Sequence, residues 1–258
     1  MSKTTTYLFI AAIAITSCKK DQKNTQDQIS QETLTQISQL GFSTTDVQKI
    51  DEGYLVEGDI ILTSANLKEV PNSVLLRIAE VEQYHTYELV TGFPRVITVS
   101  SSGSISSNVS SAIDGAIARY NAANLAITFQ RVGSGGNINI RVVNGASYIA
   151  SSGFPSGGNP YPQVKFNKQY QNWNNSTLAS VFAHEIGHCV GFRHTDYMDR
   201  SYSCGGSPTN EGASSVGAVY IPGTPTGPDA ASWMLACIGN GINRPFNNND
   251  LVALKYLY

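Results

Sequence analysis

His184-Glu185-Ile186-Gly187-His188-Cys189-Val190-Gly191-Phe192-Arg193-His194 decides how the rest of the chain is read, because three of the four histidines in 258 residues fall inside it. Two histidines four apart on a helix point the same way, one turn apart. They can hold one Zn²⁺ while the glutamate beside the first reaches a water on the metal. Gly191 lets the helix stop and turn sharply, at a positive φ that other residues avoid, so that His194 returns to the same ion. Three nitrogens and one open position form the donor set of a catalytic zinc site rather than a closed structural one. At this composition the five fixed positions of His-Glu-x-x-His-x-x-Gly-x-x-His arise by chance in roughly a few chains per million, far more rarely than a bare His-Glu-x-x-His.

The helix that carries the motif is expected to start near Ser176. At about 100° per residue, Leu178, Val181, Phe182 and Cys189 form one apolar stripe with Glu185 inside it and His184 and His188 on its flank. A carboxylate on a core-facing stripe is costly without a partner, and a water on a metal is such a partner. Cys189, well off the direction of His188, reads as a buried thiol and not a ligand. Upstream, Val96-Ile97-Thr98-Val99 predicts a strand, and Val109, Ala112, Ile113, Ala116, Ile117 and Tyr120 an amphipathic helix capped from Ser106-Ser107-Asn108. Ile127-Thr128-Phe129, the alternating Ile138, Ile140 and Val142, and Val164 with Phe166 predict further strands. This order gives an α+β fold with one mixed or antiparallel sheet.

Composition narrows the classes. With 41% apolar and 9% aromatic residues a core can form, and only 14% are charged, so turns and short strands are expected rather than long solvated helices. A net charge of −2 offers no basic field, and nucleic acid is not an expected partner. Residues 1–17 have a positive start at Lys3 and an apolar run from Tyr7 to Ile15, which reads as a signal peptide. That run is short of the roughly twenty residues needed to span a bilayer. Ile15-Thr16-Ser17-Cys18 resembles the lipobox of bacterial lipoproteins, which implies lipidation at Cys18, export, and anchoring in the cell envelope, at the outer membrane or cell surface. Residues 18–35 then read as the lipidated cysteine and a polar tether, residues 36–91 as a small N-terminal unit, and residues 92–258 as the catalytic domain. Within the N-terminal unit Leu34, Ile37 and Leu40 suggest a short helix stopped by Gly41, and residues 53–62 a hairpin.

The sequence resembles the metzincin metalloproteases. The Glu-Ile-Gly form of the core, with Cys189, Phe192, Arg193, His194, Thr195 and Asp196, resembles the bacterial dual-action HEIGH metallopeptidases. The resemblance implies a zincin fold, with a twisted mixed sheet and an active-site helix above a cleft and a smaller irregular C-terminal subdomain below. It implies a turn under the zinc at Ser232-Trp233-Met234, with Met234 at its centre, and a closing helix over residues 246–258. It also places the strand at Val164–Asn167 at the sheet edge that lines the cleft, where a peptide can pair by main-chain hydrogen bonds. Some metzincins carry a tyrosine two residues after the turn methionine; here Ala236 stands there, and Tyr197, Tyr202 and Tyr220 cannot be assigned its role. With Cys18 lipidated, the remaining three cysteines allow one internal disulfide out of three possible pairs, and pairing Cys204 with Cys237 would tie down the lower subdomain.

The function expected is zinc-dependent hydrolysis of peptide bonds in protein or peptide substrates, with Glu185 as general base and His184, His188 and His194 on the metal. The alternatives are a surface lipoprotein that uses its zinc domain as a binding module, against which the intact Glu185 argues, and a metal hydrolase of non-peptide bonds. Asp196 and Asp199 are either acceptors that orient a ligand histidine or solvated acids. The N-terminal unit is a candidate pro-segment. It contains no cysteine, which excludes a cysteine-to-zinc switch; either Asp59 or His85 caps the metal, or the unit is a simple packing domain.

Overall fold

The computed structural model describes residues 29–258 except 41, 69–82, 211–217, 226 and 228; the leader, Cys18 and the expected Gly41 stop lie outside these residues. In chain order the elements are α1 (Gln31–Gln39), β1 (Gln48–Ile50), β2 (Gly53–Val56), β3 (Ile60–Thr63), β4 (Tyr84–His85), β5 (Arg95–Ser102) and α2 (Ser107–Ala122). They continue with β6 (Ile127–Arg131), β7 (Ile138–Val143), β8 (Ala150–Ser151), β9 (Gln163–Asn167), α3 (Asn175–Cys189), α4 (Ser201–Cys204), β10 (Val219–Tyr220) and α5 (Asn248–Leu257).

The fold is α+β. Five strands in the order β6-β5-β7-β9-β8 make a mixed sheet, parallel except for the antiparallel pairing of β8 with β9. Ile97, Val99, Ile138, Ile140, Val164 and Phe166 supply its buried side chains, as the alternation requires. α2 turns the whole stripe from Val109 to Tyr120 inward, and α3 packs beside it. The helices approach closely because Gly115 faces Ala179, whose Cβ would lie 3.3 Å from a Cβ at position 115. The Tyr120 hydroxyl donates to the Ala183 carbonyl oxygen at 2.8 Å, which fixes the register of α2 on α3 and leaves no orphan phenol in the core.

One expectation fails. β9 is not the edge of the sheet, because residues 150–151 return to pair with it, Ala150 opposite Phe166 and Ser151 opposite Lys165. β8 is the edge, and it is too short to show alternation in the sequence. Lys165 on β9 forms an ion pair with Glu52 of the N-terminal unit.

That unit has its own small core of Ile37, Leu40, Phe42, Val56, Ile60 and Leu62, closed by Phe154 from the loop after β8. α1 begins at Gln31, inside the stretch expected to be tether, with the Ser30 side chain accepting from Thr33 N–H at its start. β4 belongs to the larger body: it pairs with β10, and His85 bridges to Phe192. Between α3 and α5 the described residues form only the short α4 and β10, and α5 opens on a reciprocal cap between Asn247 and Asp250. No helix among the described residues is long and apolar enough to cross a membrane.

Candidate metal centre

α3 starts where the Asn174 side chain accepts from Ser176 N–H, and every residue of the helix from Thr177 to Cys189 is buried. The helix ends at Gly191, whose φ is +106°; a Cβ there would lie 2.6 Å from Leu89 Cδ2, so both conformation and space demand glycine. The chain then folds back. Phe192 N–H donates to the Gly187 carbonyl oxygen at 2.9 Å, Arg193 N–H to that of Tyr84 at 2.9 Å, and His194 arrives facing α3.

The structure brings His184, His188 and His194 together with Asp59, one donor atom from each lying within 4.8 Å of the others. His188 Nδ1 donates to the Phe192 carbonyl oxygen at 2.8 Å and His184 Nδ1 to that of Trp233 at 3.1 Å. These acceptors assign the ring protons to Nδ1 and turn bare Nε2 lone pairs into the centre. His188 Nε2 and His194 Nε2 are 3.2 Å apart, and His184 Nε2 is buried with no hydrogen-bond partner. Two nitrogens bound 2.0–2.1 Å from a tetrahedral ion stand about 3.3 Å apart. Imidazole nitrogens converging at that spacing fit Zn²⁺. Burial, reinforced by His184 and His194, holds His188 well below the ordinary imidazole range, which favours the neutral form a metal requires.

Asp59 comes from the turn between β2 and β3, where Glu57 and Gly58 have φ of +54° and +86°. Its Oδ2 lies 3.1 Å from His194 Nε2 and 3.6 Å from His184 Nε2, the separations of a fourth donor in the same set. Burial pushes its carboxyl upward in pKa, but His194, His184 and His188 outweigh burial and the net shift is well downward. His85 lies apart from this group, with Nδ1 on the Thr86 carbonyl oxygen.

Glu185 is 3% exposed. Burial raises its pKa well above the usual carboxylate range and the charge of Asp59 adds to the rise, against the pull of the Ser152 hydroxyl and His194. The Ser152 hydroxyl, from the residue after β8, donates to Glu185 Oε2 at 2.6 Å. Beside Glu185 and His184 opens a cavity of about 210 Å³ lined by Val181, Trp233, Leu235, Ile238 and Arg244.

Ser232-Trp233-Met234 lies against the underside of α3. A Cβ on Gly187 would stand 2.7 Å from Met234 Sδ and 2.7 Å from Trp233 Cη2. The turn holds His184 directly, its Nδ1–H donating to the Trp233 carbonyl oxygen, and holds the residue after His194, Thr195 N–H donating to the Met234 carbonyl oxygen at 2.9 Å. Cys204 and Cys237 are joined in a disulfide, and Cys189 is a buried free thiol. Asp196 is neither solvated nor on a ligand histidine; it accepts from Ala236 N–H and the Ser203 hydroxyl and so braces the loop after Met234. Asp199 accepts from Ser201 and Thr209 instead. Tyr197 is buried edge-on against Tyr84.

The sequence reading missed Ser152 and the role of Arg193. Arg193 is 1% exposed, and its Nη2 donates to both carboxylate oxygens of Glu57 at 3.2 Å. Neither residue belongs to a local pattern; each acquires its partner only through tertiary contact.

A model of the family described as dual-action HEIGH metallo-peptidases matches residues 54–258. Comparison with curated proteins gives no match. Among solved structures, the chain is similar to two described as myroilysin. One is 22% identical over 43% of this chain and 54% of the other, at a TM-score of 0.35. The second is 23% identical over 42% and 48%, at 0.34. It is also similar to high choriolytic enzyme 1, a hatching-enzyme zinc-protease from the medaka fish Oryzias latipes, with 24% identity over 38% and 44% at a TM-score of 0.28. The chain thus spans about half the length of these proteins.

Proposed function

Because the chain belongs to the dual-action HEIGH metallopeptidase family, we propose that it is a zinc-dependent endopeptidase whose described form is held latent by its own N-terminal unit. One observation carries the reading: three imidazole nitrogens converge on one point beside the buried carboxylate of Glu185. His184, His188 and His194 would hold Zn²⁺, which when bound supplies a Lewis acid that polarises a peptide carbonyl and eases removal of a proton from water. Glu185 takes the proton from the attacking water and returns it to the leaving amine. Its burial-raised pKa suits both halves of that task. The carbonyl oxygens of Trp233 and Phe192 fix the ring orientations, and the cavity beside His184 receives a substrate side chain.

Latency follows from Asp59, which occupies the position of a fourth ligand. The same segment blocks the sheet edge: Ser152 N–H donates to the Asp59 carbonyl oxygen at 2.8 Å and Ile61 N–H to that of Ser152 at 2.6 Å. Of the unit expected over residues 36–91, the part up to the end of β3 is accordingly proposed as the pro-segment, because β4 pairs with β10 in the larger body. Export and lipidation at Cys18 remain part of the proposal, and a disulfide between Cys204 and Cys237 supports a location outside the reducing cytosol.

The test is cleavage of an unstructured protein by zinc-loaded full chain, its Asp59→Ala variant, and Asp59→Ala with Glu185→Ala. The expected order is little activity, strong chelator-sensitive activity, and none. Zinc-loaded Asp59→Ala protein that fails to cleave would overturn the peptidase reading, and wild type as active as Asp59→Ala would overturn latency alone.

A further inference from the structure

Ser152 is fully buried at the end of the edge strand, and it uses its main chain and its side chain for different partners. Its N–H and carbonyl oxygen pair with Asp59 and Ile61, the segment lying in the cleft. Its hydroxyl reaches Glu185 Oε2 at 2.6 Å, and among the described residues it is the one hydrogen-bond donor to that carboxylate. The hydroxyl also stands 3.1 Å from the Glu185 carbonyl oxygen, but it has a single proton to give. The shorter contact to an anionic acceptor takes that proton.

From this geometry we infer that Ser152 is a positioning residue for Glu185 and, at the same time, a main-chain anchor for whatever peptide occupies the cleft. The inference rests on the peptidase reading above. A glutamate has three rotatable side-chain bonds, and only the conformer that faces the attacking water is useful. The Ser152 hydroxyl holds Oε2 and leaves Oε1 to accept the water's proton. When residues 59–61 leave, the N–H and carbonyl oxygen of Ser152 become free edge groups. An extended substrate can take them up by strand addition. The residue that grips the substrate backbone therefore also sets the position of the base, so the distance from scissile peptide to base is fixed through one residue rather than through two independent elements.

The test uses zinc-loaded full chain carrying Asp59→Ala and a fluorogenic peptide that this variant cleaves. Adding Ser152→Ala is expected to lower kcat about ten-fold or more, with KM within about two-fold and zinc content unchanged. Ser152→Thr, which keeps the hydroxyl, is expected to recover most of the loss. An unchanged kcat, a loss confined to KM, a failure of Thr to restore, or a kcat loss matched by an equal fall in Tm would overturn the inference. A second measurement is independent of turnover. Ser152→Ala should shift a carboxylate stretching band in the infrared difference spectrum, and the shift should vanish when Glu185→Gln is also present. Absence of that shift overturns the inference. If Asp59→Ala protein cleaves nothing, the peptidase reading fails, and the infrared band still decides whether Ser152 holds Glu185.

Discussion

Replacing Glu57 by alanine should destabilise the protein and activate it at once. The carboxylate and Arg193 are both without side-chain exposure, and Nη2 stands 3.2 Å from each carboxylate oxygen. At an effective dielectric of about 20, a pair at this separation attracts by roughly 5 kcal/mol, against a desolvation cost of several kcal/mol per ion. Removing one partner keeps the cost for the other. Arg193 cannot swing into solvent, because its guanidinium lies 4.7 Å from the Phe42 ring centroid and 5.6 Å from that of Tyr197. Glu57→Ala should therefore lower the unfolding free energy by about 3–5 kcal/mol in urea titrations with saturating zinc. Glu57→Leu with Arg193→Met, which fills the space without a charge, should recover more than half of that. Glu57 is two residues from Asp59 in the same turn, so the single variant should also show more chelator-sensitive cleavage than wild type. A single-variant cost under about 1 kcal/mol, or a double variant whose cost equals the sum of the two singles, would refute the account of the pair.

Three further outcomes follow from the same structure. Gly187→Ala must displace Met234 Sδ and the Trp233 ring, each 2.7 Å from the new Cβ, and should cost about 1–3 kcal/mol and weaken zinc retention, read by Tm and metal analysis. Replacing both Cys204 and Cys237 with serine opens a cross-link spanning 33 positions, which chain entropy values at about 4 kcal/mol; equal urea midpoints for variant and wild type would contradict this. Asp250 is buried, and that burial raises its carboxyl from 3.8 to about 7. The folded form then keeps a proton that the unfolded chain has lost above about pH 4, so this group's contribution to stability falls as pH rises from 4 through 7. Asp250→Asn should flatten that part of the pH–stability curve, with Gln83 Oε1, buried and without a partner among the described residues, available to accept from the new amide.

Much of the centre was legible because its logic is local. His184 and His188 are one helical turn apart and Gly191 is three residues from each of its flanking histidines, so spacing alone orders them. Glu185 announced itself as a carboxylate on an apolar stripe. The strands with clear alternation, such as Ile138-Ile140-Val142, were equally readable, and so was the stripe of α2. What escaped was set by tertiary pairing. β8 has two residues, too few for a period, and so the sequence alone presents β9 as the edge. Ser152 looks like any loop serine until the sheet carries it to Glu185. Asp59 was one of two acids or bases that could reach the metal, and only the close of the β2–β3 turn separates it from His85.

The position of Asp59 in the chain has a consequence for where the enzyme goes. The segment that fills the cleft precedes the catalytic body, and the two are joined only through residues 64–83. While that connection is intact, departure and return of the proposed plug are intramolecular, independent of how dilute the protein is. Once it is cut, the plug must rebind from bulk solution, and dilution makes its departure one-way. The anchor proposed at Cys18 lies on the same side of the cut as the plug. A single cleavage in residues 64–83 would therefore switch the peptidase on and free it from the membrane together, whereas a cleavage in the tether would shed a particle that is still inactive.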